Sequence, residues 1–345
     1  MRCILIAFAL SLSACTSPES AGTGTSNERS SKPWQFETAA PALRLASCTD
    51  DDPFERASPL TITATEIEHG PQDARDEALE GMRFAGAWHL TSDEPNFGGL
   101  SGLDTLRSGS LLAVSDAGAW VWIGIDAESG APDGLGSIGY MRGADGKFLP
   151  NKRSADAEGL AFKDGLALVS FEQTHRIEAF DLEGCGVKAR AARVADLPNR
   201  ITGKRVRANK GPEALSLGKE LHIGFETKTR AGAPNALLLE DGTLSDFMFV
   251  DPGGSYSLTG ADFADWAYVD LYRAYDPVRG NRVKVEVREG GDLLASAHIK
   301  PPLPVDNFEG VAFGISPEGN KRVWLISDDN FNEDQRTLLF AFDLD

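Results

Sequence analysis

The chain has 345 residues, of which 52 are acidic and 34 are basic, so its formal net charge is −18. Nucleic-acid-binding proteins, and proteins that dock on anionic lipid through basic patches, concentrate Lys and Arg, so this acid surplus argues against both classes. Apolar residues make up 41% and charged residues 25% of the chain, which is typical of a folded domain.

The chain begins with a segment typical of an exported bacterial lipoprotein. A basic residue at position 2 precedes an apolar run over residues 4–12, which is too short to span a membrane, and the tripeptide Leu-Ser-Ala precedes Cys15. This run resembles a lipobox and predicts a signal peptide over residues 1–14 and a lipid on Cys15. Thr16 favours the outer membrane, facing the periplasm or the cell surface, with the lipid as the membrane contact. An ordinary secretory signal cleaved nearby is the alternative.

Residues 15–57 are predicted to be the lipidated Cys and a flexible tether, because Ser, Thr, Gly, Pro and Glu dominate up to Lys32 without an apolar period. Cys48 and Cys185 belong neither to the predicted signal peptide nor to the predicted lipidation site. An exported compartment permits a disulfide between Cys48 and Cys185, and two free thiols are the alternative.

A short repeat organises residues 58–345, which we predict to be one domain. Three copies have Glu in the same frame: DAEGLAF at 156–162, GPEALSL at 211–217 and NFEGVAF at 307–313. Two degenerate copies have Ser101 and Thr259 at the Glu position, and successive copies are 46 to 57 residues apart. Repeats of roughly 40–50 residues with four strands each are typical of a β-propeller.

The copies are followed by short runs of β-branched and aromatic residues between turn residues, which predict the other strands of each blade. The predicted strands are residues 110–115, 120–125, 136–141, 166–171, 176–182, 187–194, 220–225, 236–239, 247–250, 266–272, 282–287, 293–299, 311–313, 322–327 and 337–344.

This strand count favours an all-β propeller of five blades. The last unit ends one strand short and residues 82–90 supply that strand, so an N-terminal strand is expected to close the ring. Residues 61–67 are a spare strand, and six blades are the alternative if it belongs to a further unit. Helical patterning is weak, with one or two turns predicted over residues 73–80.

The repeat also predicts where acidic side chains collect. The motif Glu begins the innermost strand and the second strand of four units ends in an acid, and these two points lie at the same end of an antiparallel hairpin. We therefore expect carboxylates to converge on one mouth of a central channel, although acids at strand ends also form turns without any ligand. They are Glu158, Glu213, Glu309, Asp116, Glu172, Glu226, Asp328 and Asp329.

Like charges this close need compensation, which a hard cation or basic side chains can supply. Clustered oxygen ligands suit Ca²⁺. The residues predicted to bind the metal are Asp116, Glu172, Glu226, Asp328 and Asp329. The residues predicted to hold an anionic substrate are Arg176, Lys210, Arg273 and His175.

Several blocks of the sequence are similar to a known family. They are DNFEGVAF at 306–313 with LISDDNF at 325–331, FGGLSGL at 97–103, NKGPE at 209–213 and LTGAD at 258–262. Over about residues 59–345 the chain resembles the bacterial phytase-like proteins, often labelled "esterase-like activity of phytase". The resemblance implies a propeller that hydrolyses esters or phosphoesters. The chain departs from the expected pattern at Tyr272-Arg273, where an acidic residue would precede the Arg.

The motifs of two true phytase classes argue against phytate as the substrate. The Arg-His-Gly motif of the histidine acid phosphatases does not occur in the sequence. The Asp-Asp-Pro motif of the calcium-dependent propeller phytases occurs as Asp51-Asp52-Pro53, in the predicted tether rather than in a blade.

Two functions are compatible with these patterns. In the first, a monomeric enzyme hydrolyses a small anionic ester or phosphoester with the help of a cation, and Glu309, Glu213 or Glu158 transfers the proton. A lactonase is a close variant. In the second, the propeller is a non-catalytic module of the cell envelope that binds a ligand or a protein partner.

Overall fold

A computed structural model of the protein describes residues 32–49 and 53–345. Its first elements precede the first complete blade, and several of them join sheets that are formed later in the chain. They are α1 (Phe36–Ser47), β1 (Ser58–Thr61), β2 (Thr63–Glu66), α2 (Gln72–Ala78), β3 (Leu79–Glu80) and β4 (Met82–Thr91).

The other strands follow in the order of the blades. Blade 1 contains β5 (Leu100–Thr105), β6 (Leu111–Ser115), β7 (Ala119–Ile125) and β8 (Pro132–Tyr140). After the short α3 (Lys152–Ala155), blade 2 contains β9 (Ala157–Lys163), β10 (Leu166–Phe171), β11 (Arg176–Asp181) and β12 (Ala192–Asp196). A ribbon of β13 (Arg200–Ile201) and β14 (Lys204–Arg205) leads to blade 3, which contains β15 (Pro212–Leu217), β16 (Leu221–Phe225), β17 (Ala233–Leu237) and β18 (Met248–Val250).

Blade 4 and blade 5 complete the ring. Blade 4 contains β19 (Ser257–Ala264), β20 (Ala267–Asp276), β21 (Gly280–Glu289) and β22 (Asp292–Ile299), with β3 at its outer edge. Blade 5 contains β23 (Phe308–Ile315), β24 (Lys321–Ser327) and β25 (Leu338–Leu344), and β4 pairs with β25. The predicted closure by an N-terminal strand is therefore confirmed.

The strands of the described residues form five blades and one small ribbon, so the prediction of a five-bladed propeller is confirmed. The spare strand at residues 61–67 adds no sixth blade within this part of the chain. It divides at Ile62: β1 pairs with β8 at the rim of blade 1, and β2 pairs with β4 at the rim of blade 5. The outer strand predicted at residues 187–194 lies slightly later, as β12.

The glycine that follows the Glu position of the repeat lets the blades meet at the axis. A Cβ built on Gly102, Gly159 or Gly260 would lie 2.5–2.6 Å from a backbone carbonyl oxygen of the next blade. The cavity between the inner strands is only about 10 Å³, barely the room for one water molecule. The predicted central channel is therefore closed by the inner strands.

The prediction of a flexible tether up to residue 57 is wrong for the described residues from Lys32 onward. Phe36, Ala40 and Leu43 recur at helical spacing and are buried together with Trp34 against blades 2 and 3. A disulfide joins Cys48, just after α1, to Cys185 of blade 2, with their Cα atoms 5.8 Å apart. This segment is part of the folded domain because its apolar face is covered by the propeller.

The predicted signal peptide, Cys15, and the Asp51-Asp52 pair lie outside the described residues. None of the helices in the described ranges is long and apolar enough to cross a membrane.

Candidate functional site

A β-bulge lies at the Glu position of the repeat in every blade. The register between the innermost and second strands shifts on either side of Ser101, Glu213, Thr259 and Glu309, and a similar shift lies opposite Glu158. Bulges re-aim a side chain out of the regular strand alternation. We call the end of the axis at which the innermost strands begin the mouth. The recurring bulges explain how side chains of these strands turn toward it.

Glutamates reach the mouth from three blades only, among the described residues. In blades 1 and 4 the hydroxyl groups of Ser101 and Thr259 donate to backbone carbonyl oxygens at 3.4–3.5 Å instead. The mouth is therefore asymmetric, with Glu158 and Glu213 on the adjacent blades 2 and 3 and Glu309 on blade 5.

An acidic cluster occupies the mouth at blades 2 and 3. Asp156, Glu158 and Glu172 each present a carboxylate oxygen, and these three atoms lie within 4.8 Å of one another. The side chain of Glu213 belongs to the same cluster, because the charges of Glu172 and Glu158 act on it. Glu213 is 9% exposed, and its Oε2 finds no hydrogen-bond donor among the described residues.

Burial raises the pKa of three members of the acidic cluster. Burial, and after it the charges of Glu309 and Glu172, raise the pKa of Glu158 well above its usual value. Burial raises the pKa of Glu172 to about 8, although a hydrogen bond from the backbone N–H of Gly211 opposes the change. The pKa of Glu213 rises through burial and the charge of Glu226. The folded protein therefore resists charging this cluster unless a positive group joins it.

Asp156 is the member of the cluster that sequence reasoning missed. It lies two residues before Glu158, at the position that Asn307 holds before Glu309 in blade 5. Lys152 Nζ lies 2.8 Å from Asp156 Oδ1 and also donates to Asp116. The polar residue at this position of the motif was the available signal.

Glu226 of blade 3 and Glu309 of blade 5 have cationic partners. Lys210 Nζ donates to Glu226 Oε2 at 2.6 Å. Arg273 Nη2 lies 3.0 Å from Glu309 Oε1 and 4.0 Å from Glu226 Oε1. Arg273 follows Tyr272 in β20, at the position where the second strand of each other blade is followed by an acid. Arg273 thus supplies the cation that pairs these carboxylates, and Tyr272 stands where the family pattern led us to expect an acid.

Asp328 and Glu309 share the amide of Asn307. Asn307 Nδ2 donates to Glu309 Oε1 at 3.1 Å and lies 3.4 Å from Asp328 Oδ2, while the N–H of Asn330 donates to Asp328 Oδ1 at 2.6 Å. Burial raises the pKa of Asp328 to about 8, and burial also raises the pKa of Glu309 against the opposing charge of Arg273. We call Glu226, Glu309 and Asp328, with Lys210, Arg273 and Asn307, the paired group.

Two other acids predicted to bind metal have different surroundings. Asp116 is paired with Lys152 at the edge of the acidic cluster. Asp329 is fully hydrogen-bonded: its Oδ1 accepts from the N–H groups of Gly99 at 2.8 Å and Phe331 at 3.0 Å, and its Oδ2 accepts from Thr337 Oγ1 at 2.8 Å. Asp329 therefore connects the loop before β5 to blade 5 and offers little to a ligand.

The predicted substrate-binding residues also separate. The guanidinium of Arg176 lies over the ring of Phe171 at 3.9 Å and is bonded to Glu178, Thr174 and Ser154, so its donors are used within blade 2 and it is not retained in the site. His175 stays close, because its ring and the Glu172 carboxylate both flank Gly211. Burial lowers the pKa of His175, which keeps the ring neutral.

The donor set of the acidic cluster suits a hard cation. Ca²⁺ binds oxygen ligands at about 2.3–2.6 Å, so two ligand atoms on opposite sides of one ion are about 5 Å apart. The separations within 4.8 Å of the oxygens of Asp156, Glu158 and Glu172 are compatible with that sphere. The unpartnered Oε2 of Glu213 is a further oxygen beside them.

The fold is similar to solved structures of diverse function. These include the PQQ-bound aldose sugar dehydrogenase of Streptomyces coelicolor, with 12% identity over 78% of this chain and 98% of that chain and a TM-score of 0.41. The glutaminyl cyclase of Myxococcus xanthus has 13% identity over 84% of this chain and 100% of that chain, with a TM-score of 0.41. The calcium structure of a Trichoderma reesei carbohydrate-active enzyme of family AA12 has 10% identity over 86% of this chain and 100% of that chain, with a TM-score of 0.38.

These likenesses are too distant to assign an activity. No curated protein matches the chain. One family model does match, over residues 95–269, and its description is "Phytase-like: Esterase-like activity of phytase". This match covers half of the chain and contains the inner strands of blades 1 to 4 and the whole acidic cluster. The protein therefore belongs to the phytase-like family.

Proposed function

We propose that the protein is a cation-assisted hydrolase of phosphate or carboxylate esters and that it acts at the acidic cluster. The observation that supports this most directly is the incomplete compensation of charge there: Lys152 pairs with Asp156, but no ion pair among the described residues reaches Glu158, Glu172 or Glu213. Asp156, Glu158 and Glu172 converge within 4.8 Å and Glu213 Oε2 has no donor among the described residues, although Lys210 and Arg273 neutralise the nearby paired group. A bound cation would supply the missing positive charge.

We assign Asp156, Glu158 and Glu172 to the binding of Ca²⁺, because their oxygen donors and separations suit it. A cation bound there supplies polarisation of the ester oxygen. We assign proton transfer to Glu213: a cation bound beside it would favour its ionised form, and its free Oε2 could then accept a proton from an attacking water. Water adds across the ester bond and releases an acid and an alcohol, so the reaction needs no redox partner.

Arg273 has a second role in this proposal. Its Nη2 is committed to Glu309, whereas its Nε is buried without an acceptor in the described part of the chain. An anionic oxygen of the substrate would satisfy this donor. We assign Arg273 to orienting the acid portion of the ester, and Lys210 to holding Glu226 in place.

The test is hydrolysis of p-nitrophenyl phosphate and p-nitrophenyl acetate by the purified protein with Ca²⁺. We expect turnover of at least one ester, its loss in EDTA and its recovery when Ca²⁺ is restored. Glu158→Gln removes a cation ligand and should lower kcat/KM about 100-fold. Glu289→Gln, at an exposed position of β21, is the matched control and should retain wild-type turnover.

A thermal titration tests cation binding separately from turnover. Ca²⁺ should raise the Tm of the wild type and of Glu289→Gln but not that of Glu158→Gln, since only a ligand that binds the native state stabilises it. A rise without turnover of either ester would favour the non-catalytic binding module instead. Absence of both effects would contradict the proposed function.

We also propose that the enzyme works at the cell envelope, anchored by a lipid on Cys15. The lipobox-like sequence before Cys15 supports this. Metabolic labelling with a clickable fatty acid, compared between the wild type and Cys15→Ser, tests it.

A further inference from the structure

A cavity of about 500 Å³, which we call the side pocket, opens beside the acidic cluster. Its lining includes Leu149, Pro150, Lys152, Asn330 and Phe331, together with the carboxylate of Asp116. Small-molecule sites typically occupy about 300–1,000 Å³ and combine apolar walls with a few polar groups. The side pocket has this size, and its lining combines apolar side chains with several polar ones.

The side pocket borders the acidic cluster at Lys152. This side chain lines the pocket, donates to Asp116 and lies 2.8 Å from Asp156 Oδ1. Lys152 therefore separates the two sites by one side chain, and a molecule that occupied both would pass beside it.

Phe331 forms an exposed aromatic wall that the local structure holds in position. The side chain of this large apolar residue is 46% exposed. One edge of its ring rests against Gly99, where a Cβ would lie 2.6 Å from Phe331 Cε2. The N–H of Phe331 donates to Asp329, which is fixed in turn by Gly99 and Thr337. The ring thus has little freedom to collapse into the protein.

The backbone that carries the exposed ring of Phe331 is strained. Asn330 and Phe331 have φ values of 50° and 49°, in the left-handed region that non-glycine residues seldom adopt. Two carboxylates hold them there, since Asp328 accepts from the N–H of Asn330 and Asp329 accepts from that of Phe331. Strain of this kind persists where the surroundings enforce it, and it concentrates at ligand sites.

The charges around the side pocket restrict what it can accept. Lys152 is the one cationic side chain in its lining within the described residues, and Asp116 and Asp156 already neutralise it. A group that carries several phosphates would find no free positive partner. A flat, uncharged ring would bury its faces against Phe331 and the Leu149-Pro150 wall.

We propose that the side pocket binds a planar, uncharged aryl group, namely the alcohol portion of an aryl ester whose acid portion lies at the acidic cluster. The orientation of the substrate rests on the proposed function, whereas the aryl binding rests on the pocket itself. The inference assigns a specificity role to Phe331.

The test compares the binding of phenylphosphonate and methylphosphonate, two inert analogues that differ in the aryl group, by isothermal titration calorimetry with Ca²⁺. Stacking on one aromatic wall should make phenylphosphonate bind roughly tenfold more tightly than methylphosphonate. Phe331→Ala should abolish this preference, and Phe331→Tyr should retain it because the ring remains. Phe263→Ala is the matched control, since it removes an exposed ring from β19 at the opposite end of the inner strands.

The outcomes separate the side pocket from the proposed chemistry. Equal affinity of the wild type for the two phosphonates, or no binding of phenylphosphonate at millimolar concentration, overturns the aryl site. An aryl preference that survives Phe331→Ala also overturns it. A preference that depends on Phe331 but persists in EDTA and in Glu158→Gln supports the aryl site and counts against the proposed cation chemistry.

Discussion

The two ends of the propeller axis both carry carboxyl groups on the inner strands, and they differ in what those groups bond to. At the far end, where the inner strands finish, Asp104 accepts from the N–H of Phe162 at 2.6 Å and Asp262 accepts from the N–H of Phe313 at 2.7 Å. Each bond ties one blade to the next. At the mouth, the carboxylates of the acidic cluster converge on one another instead, and Glu213 Oε2 has no donor among the described residues.

The copies of the repeat differ in which end of the inner strand carries the acidic residue. The copies with Ser101 and Thr259 have Asp three residues later, at Asp104 and Asp262. The copies with Glu have Ala or Ser at that later position. Each inner strand therefore carries its acid at one end or the other. This division separates acids that join blades from acids that remain available to a ligand.

Removing the cation of the paired group should have the largest effect. Arg273→Met leaves Glu309 without its 3.0 Å partner and Glu226 with Lys210 alone. Breaking a buried ion pair from one side typically destabilises a protein by about 3–5 kcal/mol, because the remaining charge stays buried. We expect a loss of that size in the free energy of unfolding at neutral pH, measured by urea denaturation.

Arg107→Met provides the matched control. Arg107 pairs with Asp164, but its side chain is 88% exposed, so the change in the free energy of unfolding should be below about 1 kcal/mol. Equal losses of unfolding free energy in the two variants would show that the ion pairs of Arg273 contribute no more to stability than a surface ion pair.

The far end should give a smaller, pH-dependent effect. Burial raises the pKa of Asp262 from 3.8 to about 6, against the hydrogen bonds from Phe313 and Phe263. Between pH 3.8 and about 6, Asp262 is ionised in the unfolded chain but still largely protonated in the folded protein. The carboxyl group therefore lowers the free energy of unfolding as the pH rises toward about 6. Asp262→Asn does not titrate. Its stability relative to the wild type should rise across this window by about 2 kcal/mol, less than the full shift implies because Asp262 is partly exposed.

The measurement is urea denaturation of both proteins from about pH 3.5 to 7.5, with and without Ca²⁺. The difference should level off above about pH 7 and should not change with Ca²⁺, because Asp262 lies at the end away from the acidic cluster. A constant difference across the range would contradict the raised pKa, and a difference that Ca²⁺ removes would mean that the two ends are coupled.

The sequence predicted the propeller because its repeat recurs with strand-like runs between the copies. It predicted the convergence of Glu158, Glu213 and Glu309 because strand direction alone determines which end they reach. It could not show the β-bulges that aim them, since a bulge depends on the register between two strands. The helix α1 was missed although Phe36, Ala40 and Leu43 have helical spacing, because the polar run before it suggested a tether.

Side-chain partners were the least predictable part of the site. Arg176 and Arg273 both lie near the ends of strands in the sequence, yet one is used within blade 2 and the other joins the mouth. Asp328 and Asp329 are neighbours, yet they point to different partners. Such differences depend on rotamers and on neighbouring blades, which a pattern of residue types does not specify.

The smallest expected effect separates Asp329 from the acidic cluster. Asp329→Asn keeps a carbonyl oxygen for the N–H groups of Gly99 and Phe331 but replaces the oxygen that accepts from Thr337. Exchange of one buried hydrogen bond should cost about 1 kcal/mol of unfolding free energy. Because Asp329 connects loops rather than binding the cation, its variant should show the same Ca²⁺-induced rise in Tm as the wild type. Asp156→Asn, the matched change within the cluster, should lose most of that rise. If Asp329→Asn lost the rise and Asp156→Asn retained it, the cation would bind nearer to blade 5 than to blades 2 and 3.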